Sequence, residues 1–137
     1  MQTVHGSGFS FQAPAAWAIV RRSNSIAAES GPVDRLEVLR FTLEKPYRPE
    51  LFAAVSRELD SVAGRLAGQL SGRVAESTTS DVAGRKVRSY RIDYGPGKTQ
   101  EIAFVLDGRN EFQVLCRRAA AAADATCAQL FSTFALG

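Results

Sequence analysis

The stretch from Val74 to Phe134 restricts the fold more than any other part of the chain. Arg73 to Val82 is polar and extended, and Gly84 breaks it. Val87 to Tyr94 alternates, with Tyr90, Ile92 and Tyr94 on one face, so it is a half-buried strand. Pro96-Gly97 suits a turn, because proline presets φ and glycine tolerates positive φ. Ile102 to Leu106 is a short, continuous apolar run, the pattern of a strand covered on both faces. Asp107-Gly108 is a hairpin signal, and Phe112 to Cys116 is the returning strand. A short helix is expected from about Ala120, with Cys127, Leu130, Phe131 and Phe134 on one side. Tight turns between neighbouring strands make the sheet antiparallel.

The first half supplies what covers that sheet. Phe9 to Phe11 and Trp17 to Arg22 read as short strands, and Ser25 to Glu29 as a weaker one. Leu36 to Leu43 is a strong strand, with Leu36 and Val38 on one face and Leu39, Phe41 and Leu43 on the other. Lys45 to Pro49 reads as a breaker, with Pro49 at the first turn of the next element. From Glu50 to Leu70 the apolar residues, beginning at Phe52, are spaced 3, 4, 3, 4 and 4, one stripe along a helix. Gly72 ends it. Residues 1–7, His5 included, read as a flexible tail. Residues 1–137 form one domain: at 45% hydrophobic, a chain of 137 residues can build one core without a metal. The expected class is α+β, a three-layer α/β/α sandwich on a central antiparallel sheet.

Chemistry is sparser than architecture. Cys116 and Cys127 are the two cysteines, placed where strand meets helix. They are close enough in sequence to bridge, and a bridge would imply an oxidising compartment. The alternative is a pair of buried thiols. Gly95-Pro96-Gly97-Lys98-Thr99 lacks the first glycine of a phosphate loop and leads into a strand, so it is a turn. With one histidine and no ligand cluster, no catalytic residue, metal site or cofactor is expected. Of the 17 cations 14 are arginine, but they are spread over many elements rather than gathered in a stripe, which argues against nucleic acid. No apolar run is long enough to span a membrane. Met1 to Gly8 has no export-signal pattern, so either the chain works in the cytoplasm or a signal preceded it. Trp17 and Tyr47 mark the candidate binding rim.

Several motifs, in order, resemble the PsbP-like family. Phe9, Phe11, Pro14 and Trp17 are similar to its opening F-x-F-x-x-P-x-x-W. Gly84-Arg85-Lys86-Val87 is similar to the start of a mid-chain strand, Asn110 to Leu115 to the last strand, and Leu130 to Phe134 to the closing helix. The cysteine pair and Pro46-Tyr47-Arg48-Pro49 look most like exported actinobacterial members. The resemblance implies an α/β/α sandwich and a non-enzymatic binding or assembly module outside the cytoplasm, such as the soluble part of a lipoprotein. Its partner would be a protein or small ligand. The alternative it implies is a cytoplasmic adaptor chaperone of the type VI secretion kind, homodimeric, taking an apolar partner helix.

Overall fold

The computed structural model describes all residues, 1–137. The strands are β1 (Gln2–Gly6), β2 (Phe9–Ala13), β3 (Ala18–Arg21), β4 (Ser25–Ser30), β5 (Asp34–Tyr47), β6 (Arg73–Val82), β7 (Arg85–Tyr94), β8 (Lys98–Ala119) and β9 (Ala135–Leu136). The helices are α1 (Phe52–Gln69), entered through a single 3-10 turn at Pro49–Leu51, and α2 (Ala125–Thr133). The large sheet runs β3-β4-β5-β8-β7-β6 and the small one β1-β2-β9. Every pairing between strands is antiparallel. The class is α+β.

β8 is 22 residues of unbroken β conformation, yet it is not one straight strand. Arg117 Nε donates to Gln100 Oε1 at 2.7 Å across 17 residues, and Ala120 N–H donates to the Gly97 carbonyl at 2.8 Å. Seventeen extended residues would span roughly 55 Å. β8 therefore doubles back around Gly108, whose φ of 58° favours glycine. Its first arm pairs with β7 through Lys98–Phe104, and its second with β5 through Gly108–Arg117. The hairpin expected at Asp107-Gly108 is present.

The two faces of the large sheet bury different partners. Ala103, Val105, Phe112, Val114 and Cys116 of β8 join Leu36 and Val38 of β5. On this side they meet Phe9 and Phe11 of β2 and Cys127 and Leu130 of α2. Ile102, Phe104 and Leu115, with Tyr90 of β7, meet Leu59 and Ala63 of α1. Alternate residues of the Ile102–Leu106 run thus enter different clusters, as the unbroken apolar pattern requires.

In α1 the stripe is deepest at Leu59, Ala63 and Ala67, because two alanines let the helix approach the sheet closely. Asp60, outside the apolar stripe, accepts from the Tyr90 hydroxyl and from Arg88 Nη2 at 3.1 Å. That contact pins the helix to β7. Burial, followed by the bond to Asp60, pushes the Tyr90 hydroxyl up to about 12. The same bond, first among its causes, holds Asp60 below the usual carboxylate value. A raised acid favours its protonated form in the fold, so Tyr90 stabilises below its ordinary value of 10 and loses that contribution as pH climbs through about 12. Asp60 stabilises above its ordinary value and loses that contribution as pH falls. Urea titrations at rising alkaline pH should show stability falling in this window for the native chain and falling less for Tyr90→Phe. Equal alkaline losses in both proteins would refute the pin.

Four expectations change. Residues 1–7 are not a tail: Gln2–Gly6 is β1, Val4 is core, and Gln2 Nε2 donates to the Pro14 and Trp17 carbonyls at 3.0 and 2.9 Å. With a single apolar residue, β1 has no pattern of its own and forms because β2 offers an edge. The Lys45–Pro49 breaker is mostly strand: β5 continues to Tyr47, with a register shift between Thr42 and Tyr47 that accommodates Pro46. The helix expected from Ala120 starts at Ala125. Helix propensity loses there to Arg118, whose Nη1 donates to the Ala119, Ala120 and Ala122 carbonyls at 3.4, 3.3 and 3.1 Å. Finally, α2 does not cover its side of the sheet alone but shares it with the three-stranded sheet.

The end of α1 also differs in detail. Ser71, not glycine, takes the left-handed position (φ 55°), while Gly72 N–H donates to Ala67 O at 2.8 Å and Ser71 N–H to Gly68 O at 3.0 Å. Glycine is needed at 72 for another reason: a Cβ there would strike the Asp93 carbonyl.

Candidate functional site

Two local turns and strand β5 build a pocket at one border of the two sheets. Gly8 (φ 84°) closes the β1–β2 turn and presents Ser7. Arg22 N–H donates to Ser25 O at 2.9 Å, closing the β3–β4 turn, and Arg40 N–H donates to Asn24 O at 2.8 Å, tying that turn to β5. Between them lies a pocket of about 250 Å³ lined by Ser7, Arg22, Ser23, Asn24, Arg40 and Thr42, with Phe9 and Ile26 from the core and Ser25 completing it.

Arg40 is held from both sheets. Its Nε and Nη2 donate to Asn110 Oδ1 at 3.2 and 2.9 Å, and its Nη1 donates to the Ser7 carbonyl and hydroxyl at 2.9 and 2.6 Å. All these partners are neutral. No carboxylate lines the pocket. Six of the other twelve arginines, Arg35, Arg73, Arg85, Arg88, Arg91 and Arg118, each stand within 4.0 Å of one. Arg22 and Arg40 thus concentrate positive charge, uncompensated by nearby acids, among hydroxyl and amide groups. That is the composition of an anion site.

Neither arginine was singled out in the sequence as a binding group. Arg22 is one of 14 arginines spread along the chain. The available signal was Arg40, which continues the row of Leu36 and Val38 on the strongest strand. A charge on an otherwise core-facing row needs a partner.

The expected site residues lie elsewhere. Cys116 and Cys127 are joined by a disulfide, with Cα atoms 5.5 Å apart, and both are buried between β8 and α2. Trp17 is half-buried against the core and lines a separate cleft with Asp34, Arg117, Thr126 and the disulfide. Tyr47 lies at the far end of β5, opposite Gly108, its hydroxyl raised by burial and then by the nearby Glu50. Asp34 and Tyr47 are the two ends of a 14-residue strand, on the order of 40 Å long when extended, so Trp17 and Tyr47 do not form one rim. His5 is exposed on β1, where its carbonyl accepts from Arg21 Nη1 at 2.9 Å. Gly95-Pro96-Gly97 is the β7–β8 turn, with Tyr94 opposite Lys98. No three His, Cys, Asp or Glu side chains are placed to hold a metal, and no helix is long and apolar enough to cross a membrane.

Comparison with known proteins is informative about fold alone. No protein-family model matches the chain, and no curated protein matches it. Among solved structures it is similar to a protein from Bacteroides thetaiotaomicron VPI-5482, solved at 1.50 Å resolution, with a TM-score of 0.64 and 11% identity. The match covers 94% of this chain and 45% of that one, so the chain spans a little under half of that protein's length.

Proposed function

We propose that the chain is a non-catalytic binding module of an extracytoplasmic compartment, built on a three-layer PsbP-like plan, which takes an anionic group between Arg22 and Arg40. The observation that carries the binding role is the carboxylate-free pocket with its two arginines. The Cys116–Cys127 bridge supports the compartment. The order of α1, sheet and α2 with its small sheet supports the layered plan.

Thermal unfolding at constant ionic strength tests the binding role. A saturable anion stabilises by about 2.7 kcal/mol at a hundred times its Kd. Acetate, phosphate or sulfate should stabilise the native chain saturably, and Arg22→Gln and Arg40→Gln should lose most of that gain. General salting effects act on all three proteins alike. Equal stabilisation of all three, or none in any, would refute the site. Because both cysteines are buried, thiol labelling in denaturant without reductant, on protein purified from an oxidising compartment, tests the bridge: two reactive cysteines would count against export.

A further inference from the structure

We infer that the Arg22–Arg40 pocket is shaped for a small organic carboxylate, an anionic head on a compact apolar body, and not for a bare inorganic oxyanion or a nucleotide; this rests on the anion reading above. Size brackets the ligand first. A volume of about 250 Å³ equals roughly eight waters at ~30 Å³ each. A single oxyanion would leave much of that space filled with water. Drug-sized ligands need clefts of about 300–1,000 Å³, which places a nucleotide out of range.

The walls divide in the same way. Arg22, Ser23 and Arg40 give a polar side, whereas Phe9 and Ile26 reach the pocket from the core cluster and give an apolar one. A ligand uniformly polar would desolvate against those two side chains with nothing gained.

The donors accommodate a carboxylate head, while the size and the apolar wall set it apart from a bare oxyanion. Arg40 already spends Nε and Nη2 on Asn110 and Nη1 on Ser7, so it contributes mainly a fixed charge. Arg22 is exposed and its side chain makes no hydrogen bond within the chain, which leaves its planar fork free. One free fork beside one fixed cation can take the two oxygens of a carboxylate.

Amide chemical-shift titration of the full chain with benzoate, acetate, inorganic phosphate and benzyl alcohol, at one ionic strength, separates the possibilities. Benzoate should saturate, moving the Ser7, Ser23, Asn24 and Thr42 amides. It should bind about tenfold more tightly than acetate or phosphate, the gain from burying on the order of 50 Å² of apolar surface. Benzyl alcohol should not saturate. Arg22→Gln should weaken benzoate about tenfold, and because Arg22 holds nothing else in place the variant should keep the native spectrum. Phosphate or acetate binding as tightly as benzoate would overturn the carboxylate inference and leave the anion site standing. No saturable shift at these amides with any anion, or equal binding of benzyl alcohol, would overturn both.

Discussion

Phe112→Ala is expected to lower the unfolding free energy by about 3–5 kcal/mol, the range for emptying a buried aromatic site. Phe112 is 2% exposed and sits on the second arm of β8, opposite Arg40. Its ring meets Phe9 at 5.7 Å and Phe134 at 5.8 Å between centroids, both edge-on, while Phe9 and Phe134 lie 6.0 Å apart. One residue therefore joins the large sheet, the small sheet and the end of α2. Edge-to-face pairs contribute about 0.5–1.5 kcal/mol beyond the area they bury, so the loss should fall toward the top of the range. Equilibrium urea unfolding measures it, with Phe112→Leu as a milder control. A loss below about 1.5 kcal/mol for the alanine variant would mean that the three elements do not share this junction.

The second large effect belongs to the disulfide. Cys116 and Cys127 are 11 residues apart and link β8 to α2. In the chain-entropy account a bridge closing so short a loop contributes about 3 kcal/mol, by restricting the unfolded chain. Replacing both cysteines with serine should cost at least that, because each serine would also bury a hydroxyl where no partner is provided. For a chain of this length the melting point should fall by roughly 10 °C. Calorimetry of the native protein with and without reductant, beside the double variant, reads both contributions. A melting point unmoved by full reduction would show that the bridge does not hold α2 in place.

The two effects meet in the same part of the fold. α2 is short, and its start carries no side-chain cap. A helix of nine residues has little stability of its own in water. It is kept by Cys127 and Leu130 near its middle and by Phe134 just past its end, all buried in the core cluster. The pocket at Arg40 lies on the other flank of Phe112 and relies on the same junction to hold Ser7 over β5.

What could be read from the sequence was whatever repeats locally. The stripe from Val55 to Leu66 needs only its own spacing to announce a helix, and Ile102–Leu106 needs only its unbroken apolar run to announce two covered faces. Gly95, Gly97 and Gly108 mark turns because positive φ is a property of one residue. The tertiary structure alone decided the rest. β1 exists because β2 lends it an edge, and the Ala119–Ala122 run stays out of helix because Arg118 holds its carbonyls. The pocket depends on contacts across 33 and 70 residues, from Arg40 to Ser7 and Asn110. Periodicity reports which side of an element is apolar. It carries no information about which distant polar groups the closed fold will bring to face one another, and this site is made of such groups.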